Sequence, residues 1–188
     1  KKYAMALTGL FLCSFLVGHL LGNLQLFIPG AEGQTAFNEY ALFMTTFPLV
    51  KVLSYLTYAS VLFHVVDGFV LMVQNRRARP ARYAVEKGSA NSGWSSRNMA
   101  LLGTIVLVFI VTHMQNFWLK MHFGDMPTQV VNGQELKDLH TVVLNYFDPA
   151  VNSMALAATA LYVLGMGGLG FHLWHGFGSA FQSMGLRA

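Results

Sequence analysis

Five histidines stand inside long, otherwise apolar stretches of this sequence: His19, His64, His113 and the pair His172 and His175. A neutral imidazole can ligate a metal or carry a proton, and a polar group in so apolar a setting is costly unless it is paired or used. A single buried histidine is commonly a hydrogen-bonded packing residue. One or more in each of four separate apolar stretches needs a shared reason, and depth supplies one. His19 lies sixteen residues beyond Tyr3 and His113 sixteen beyond Arg97, in each case about 24 Å along a helix. On the returning stretches His64 is twelve residues before Arg76 and His172 ten before Gln182, about 15 to 18 Å. The residues thus form two level pairs. Facing imidazoles at one height are what the six-coordinate iron of a b-type haem requires: nitrogen ligands above and below a flat macrocycle set between helices. The chain offers ligands for two such haems, with His175 a neighbour one turn further on, better suited to a propionate or backbone hydrogen bond than to ligation.

A macrocycle also needs space beside the backbone. Ser14, Gly18 and Gly22 recur at every fourth residue around His19; Gly165, Gly167, Gly168 and Gly170 precede His172, and Gly176 follows it. Close helix packing through small residues would explain these glycines equally well, but not the histidines.

These residues must be positioned by membrane spans. With 54% hydrophobic and 11% charged residues, the composition is that of a chain solvated by lipid. Four segments reach the ~20 apolar residues that cross a bilayer: about 3–28, 49–74, 98–121 and 150–178. The expected fold is therefore an all-α integral membrane bundle of four transmembrane helices, forming one domain over residues 1–188. The first stretch is too long for a signal peptide and ends in no small-residue cleavage site, so it is read as a retained helix. Pro29-Gly30 closes the first span and Pro48 stands at the mouth of the second. Asp148-Pro149 reads as an N-cap with proline at the first helical position of the fourth. Leu136, Leu139, Val143 and Phe147 recur at helical spacing and predict a short surface helix over 134–147, with another over 35–46.

Four spans put both termini on one side, together with a loop carrying Arg76, Arg77, Arg79, Arg82, Lys87 and Arg97. The opposite loops hold Glu32, Glu39, Asp125, Glu135, Asp138 and Asp148 against Lys51, Lys120 and Lys137. By the positive-inside rule the basic side is cytoplasmic, which predicts a multi-pass protein of the cell's inner (cytoplasmic) membrane. The net charge of +4 then mostly reflects topology. Nucleic-acid binding is a poor reading of a short juxtamembrane cluster. Cys13 is the only cysteine, so this chain alone holds neither a disulfide nor an iron–sulfur cluster. Residues 165–170 match G-x-G-x-x-G literally, but no strand precedes them and the run lies inside a span, so they are not a dinucleotide site. No P-loop, H-E-x-x-H or nucleophile elbow is present.

Taken together, Gly18-His19-Leu20-Leu21-Gly22-Asn23, His64, Thr112-His113 and Phe171-His172-Leu173-Trp174-His175-Gly176-Phe177 resemble the di-haem cytochrome b anchor of the succinate:quinone oxidoreductases, the succinate dehydrogenase and fumarate reductase family. The resemblance spans most of the chain. It implies a distal haem on His19 and His113, a proximal haem on His64 and His172, and a flavoprotein and an iron–sulfur subunit docked on the cytoplasmic side. It also implies electron transfer between that head and a quinone, menaquinone being the family's commoner choice. Such anchors usually have five spans. Either a fifth lies beyond Leu186-Arg187-Ala188 or this is a four-span variant. Where some fumarate reductases carry a glutamate two residues before the last ligand, this sequence has Gly170, so that proton route is not expected.

Quinone chemistry needs hydrogen-bond partners and a proton path. At the outer mouth Asn23, Gln25, Glu39, Tyr40, Gln115, Asn116, Trp118 and His122 qualify, with Glu39 the best proton carrier. On the cytoplasmic side Arg97 and Ser179, with Ser95, Ser96 and Gln182, are at suitable heights to bind haem propionates. Asp67, one turn from His64, either orients a ligand or meets a basic residue of the loop. Two rival readings stay open: a di-haem anchor of a hydrogenase, formate dehydrogenase or nitrate reductase, and a haem-free helical transporter.

Overall fold

The computed structural model describes residues 2–78 and 87–186. Among these residues the chain is nearly all α-helical, and four helices are long and apolar enough to cross a membrane: Lys2–Phe27, Pro48–Arg77, Met99–Phe123 and Ala155–Ser183. It is a multi-pass membrane protein. The shortest of these helices has 25 residues, ample for about 30 Å of hydrocarbon at 1.5 Å per residue.

The order of elements is α1 (Lys2–Asn23), a 3-10 turn (Leu24–Phe27), α2 (Gly30–Thr46), α3 (Pro48–Arg77), α4 (Gly88–Asn91), α5 (Trp94–Arg97) and α6 (Met99–His113). A π-helical turn (Met114–Trp118) leads from α6 into α7 (Leu119–Phe123). Then come strands β1 (Thr128–Val131) and β2 (Gln134–Lys137), helix α8 (Leu139–Phe147) and α9 (Ala155–Ser183). Lipid offers the backbone no hydrogen bonds, so a span must satisfy its own. Its hydroxyls do likewise: Ser54 donates to the Val50 carbonyl, Thr104 to Ala100, Thr112 to Phe109 and Val108, and Thr159 to Ala155.

Two expectations are corrected. The segment 134–147 is not one helix. Residues 134–137 form the second strand of an antiparallel hairpin, with Val131 opposite Gln134 and Thr128 opposite Lys137. Asn132 and Gly133 both have positive φ, 50° and 80°, the backbone that a two-residue hairpin turn demands and that Asn-Gly readily adopts. Leu136 is buried, as its periodicity suggested, but from a strand that packs on α2. The fourth span begins at Ala155 rather than 150. Asp148 ends α8 instead of capping α9: its carboxylate accepts from the Ala150 N–H, and a turn runs on to Asn152, whose side chain accepts from the Met154 N–H. The other surface helix, expected over 35–46, extends from Gly30 to Thr46.

The chain divides into two compact units, each drawing on all four spans: Lys1–Ser14, Thr57–Leu107 and Gly165–Ala188 form the first, Phe15–Leu56 and Val108–Leu164 the second. In the first, Ala6, Leu102, Val106 and Ala180 are buried, and the loop before α6 is folded on itself. The Arg97 guanidinium donates to the carbonyls of Gly88 and Ser92. Arg79 and Arg82 of the basic cluster lie outside the described residues.

In the second unit, α2, the hairpin and α8 pack closely over Phe37, Ala41, Leu136 and Val142. A polar hub holds them. Asn38 and Asp138 are only 1% and 4% exposed. Asn38 Nδ2 donates to Asp138 Oδ1 and to Gln129 Oε1, both at 2.8 Å, while Asn38 Oδ1 accepts from the His140 N–H at 3.0 Å. Gln34 Nε2 donates to Asp138 Oδ2 at 2.7 Å, and Asp138 Oδ1 caps α8 by accepting from the Thr141 N–H at 3.1 Å. Burial pushes the Asp138 carboxyl up, but the hydrogen bonds from Thr141, Asn38 and Gln34 outweigh it and hold the group below the usual aspartate range.

Candidate functional site

The structure brings together one histidine pair within each unit. In the second unit the rings of His19 on α1 and His113 at the end of α6 have centroids 5.6 Å apart and planes at 89°. In the first, His64 on α3 and His172 on α9 are 6.2 Å apart at 70°. A metal–imidazole bond is about 2 Å, so two rings on opposite faces of one ion, each centred about 1.1 Å behind its nitrogen, stand roughly 6 Å apart. Both pairs have that spacing. A plain edge-to-face ring contact falls in the same range, so separation alone does not choose between metal ligation and ring packing.

The polar atoms bear on that choice. Nδ1 of His113 and of His172 are buried without a hydrogen-bond partner among the described residues. An unpaired buried polar atom costs about 1–3 kcal/mol, and two such atoms on the partners of two facing pairs are not what simple packing would select. A ligand bond at the remaining nitrogen would offset the cost. His64 differs: its Nδ1 lies 3.2 Å from the Thr8 hydroxyl. His19 is exposed in its unit, with Phe15 stacked on it at 5.4 Å, and Asn23 donates to its carbonyl at 2.7 Å.

Gly18, Gly167 and Gly170 lie on exposed helix faces, whereas two other glycines stand against the imidazoles. A Cβ added at Gly18, Gly167, Gly170 or Gly176 would meet nothing within 4 Å. At Gly9 it would come within 3.2 Å of His64 Cε1, and at Gly103 within 3.7 Å of His172 Cε1. These two glycines, neither expected from the sequence, let α1 and α6 approach the imidazoles of the first unit. Each unit therefore has a facing pair of imidazoles at the spacing of two ligands on one metal ion, which suits an iron-centred macrocycle.

Other candidates fall as follows. Glu39 is exposed on α2 beside Tyr40, whose ring packs so closely on Gly22 that a Cβ there would lie 2.5 Å from it. Asn116 donates to the Tyr146 hydroxyl at 2.7 Å. His122 Nδ1 is 2.9 Å from the Trp118 carbonyl, and the two rings stack at 4.4 Å. Gln115 is exposed. Ser179 and His175 are half-buried on α9 and Asp67 on α3. Arg97 is exposed, and one arm of its guanidinium is committed to its own loop.

Sequence reasoning missed the rings around His113. Phe109, Phe117 and Tyr162 lie 5.7, 5.4 and 6.1 Å from it. Tyr146 and Phe147 of α8 close on Tyr162 at 5.8 and 5.0 Å. Phe109, His113 and Phe117 recur every fourth residue, a signal that was available. The π-helical turn begins immediately after His113; such bulges are frequent at functional sites. Comparison with protein families, with curated proteins and with solved structures finds nothing that matches this chain.

Proposed function

We propose that this chain is the di-haem cytochrome b membrane anchor of a succinate:quinone oxidoreductase, succinate dehydrogenase (respiratory complex II), and that it links a quinone to an iron–sulfur subunit. The observation that carries the reading is the pairing of imidazoles in each unit, at 5.6 and 6.2 Å. His19 with His113 and His64 with His172 would each hold one haem b. A haem so bound supplies a one-electron iron couple. The chain's own residues supply the rest. The four histidines would ligate the two irons, and the apolar spans exclude water. Ser179 is a donor suited to a propionate, as is the part of the Arg97 guanidinium that its loop leaves unused.

Quinone, menaquinone being the family's commoner choice, would react in the second unit. There Glu39 is an exposed carboxylate able to exchange protons with water. With Cys13 its sole cysteine, the chain leaves iron–sulfur chemistry to a partner. The basic residues before α6 then face the cytoplasm, under an iron–sulfur subunit and a flavoprotein, with the whole in the inner membrane.

The test is pyridine haemochrome analysis of the detergent-purified chain. Two b haems per polypeptide are expected; none would leave a haem-free bundle and overturn the reading, and one would overturn the double pairing. A complex purified on this chain without flavin would retain the haems but remove the proposed partners. Glu39→Gln should abolish most quinone-linked turnover while both haems persist; full turnover would remove Glu39 from the mechanism.

A further inference from the structure

Thr8 lies on α1, 56 residues from His64 in sequence, in the unit that contains both. Its hydroxyl is 2.8 Å from the Ala4 carbonyl oxygen and 3.2 Å from that of Met5. Carbonyl oxygens only accept, so either contact uses the single hydroxyl proton. The oxygen keeps its lone pairs, and His64 Nδ1 is 3.2 Å away. With the hydroxyl proton on the helix backbone, the remaining bond has Nδ1–H as donor and Thr8 Oγ1 as acceptor. The imidazole is then the tautomer with a bare Nε2. The neighbouring residue contributes shape: Gly9 has no side chain where a Cβ would stand 3.2 Å from His64 Cε1 and 3.7 Å from Nδ1. The first helix therefore presents His64 with an acceptor at one atom and a flat wall beside it.

We infer that Thr8 is a positioning residue for His64: it holds the imidazole with Nδ1 protonated and Nε2 free to bind the iron of the haem in the first unit, an inference that rests on the di-haem reading. Nδ1 of His113 in the other pair has no such partner among the described residues, and neither has Nδ1 of His172 across from His64. Among the described residues, His64 thus has a side-chain acceptor on Nδ1 where His113 and His172 have none. An acceptor on Nδ1–H makes the ring a stronger electron donor to the metal, which favours the oxidised iron and lowers the midpoint potential.

The experiment is redox titration of the purified, haem-loaded chain, wild type against Thr8→Val and Thr8→Ser, with the haem of the first unit identified as the one lost in His64→Ala. Valine keeps the volume and removes the acceptor. Its expected effect is a shift of about tenfold in the redox equilibrium of that haem toward the reduced form, a rise of about 59 mV for a one-electron couple. The second haem should stay in place, and serine should restore the wild-type value. An unmoved potential in Thr8→Val overturns the inference. So does a fall, which would mean that Thr8 donates to Nδ1, and so does a serine variant that behaves like valine. A wild-type chain without haem overturns the underlying reading instead, and is recognised before any variant is titrated. If Thr8→Val fails to accumulate, Thr8→Ala, which also removes the acceptor, carries the test against Thr8→Ser: a raised potential in the first with a wild-type value in the second supports the inference, and an unmoved potential in Thr8→Ala overturns it.

Discussion

The unit that holds His19 and His113 surrounds its pair with aromatic rings, whereas the unit that holds His64 and His172 seats its pair on a hydroxyl and two glycines. Phe15, Phe109, Phe117 and Tyr162 approach the first pair; Thr8, Gly9 and Gly103 approach the second. The same unit that has the rings also has the soluble-like hub of Asn38 and Asp138 over its loops. The difference shows two ways to hold an imidazole in lipid. Rings exclude water and constrain orientation by shape on several sides. A hydroxyl adds a directional bond that selects a tautomer, but only if the backbone comes close enough, which is why glycine is needed beside it.

The largest effect expected from breaking this arrangement is loss of a single haem. His19→Ala and His113→Ala should remove the same haem, and His64→Ala and His172→Ala the other, leaving one per chain by haemochrome analysis in each case. The comparison fails if any single variant loses both, because the two seats would then not be independent. It also fails if His19→Ala and His64→Ala remove the same one, because ligation would then cross the pairs that the ring contacts define.

Much of this arrangement was legible in the sequence, and the rest was hidden for identifiable reasons. The spans announce themselves through uninterrupted apolar runs, and the histidine pairs through depth, because a helix rises by a constant amount per residue. The hairpin was legible in Asn132-Gly133 but was masked by Leu136, Leu139, Val143 and Phe147, whose spacing suits a helix while Leu136 is buried from a strand. Asp138, three residues before Thr141 at a helix start, carried an N-cap signature. Its bond to Asn38 did not, because 100 residues separate them. Thr8 reads as an ordinary span threonine until His64 is placed against it.

An intermediate effect is expected at Asp138. Its depressed folded-state pKa means that its stabilising contribution is complete above the ordinary aspartate value of 3.8 and is lost as pH falls below that value through the folded one. Asp138→Asn turns one acceptor into a donor facing Asn38 Nδ2 or Gln34 Nε2, and should cost about 2 kcal/mol. Proteolytic protection of α2, the hairpin and α8 should drop in the variant at neutral pH. Its remaining protection should lack the acid-induced loss expected of wild type, while the His64 and His172 haem spectrum stays unchanged. An identical acid limb in both proteins would show that the hub's pH response comes from another group.

The smallest effect, and the sharpest on the two seats, is expected from a methyl group added to α1 in each unit. Alanine at either glycine gains helix propensity on the order of 1 kcal/mol. At Gly18 nothing stands within 4 Å of the new Cβ, so the gain should appear undiminished and the optical spectra of both haems should be those of wild type. At Gly9 the new Cβ meets His64 Cε1 at 3.2 Å, closer than ordinary packing, so the ring must move by a few tenths of an ångström while Thr8 still holds Nδ1. The propensity gain is then largely offset by off-rotamer strain of about 0.5–1.5 kcal/mol, leaving stability near wild type. The disturbance should instead be read as a change in the low-spin electron paramagnetic resonance signal of the haem held by His64, with the signal of the other haem unmoved. A spectral change from Gly18→Ala as large as that from Gly9→Ala would erase the distinction between an open and a seated face of α1. Silence from Gly9→Ala would mean that the imidazole has slack, in which case the hydroxyl, and not the glycine beside it, sets the orientation of His64.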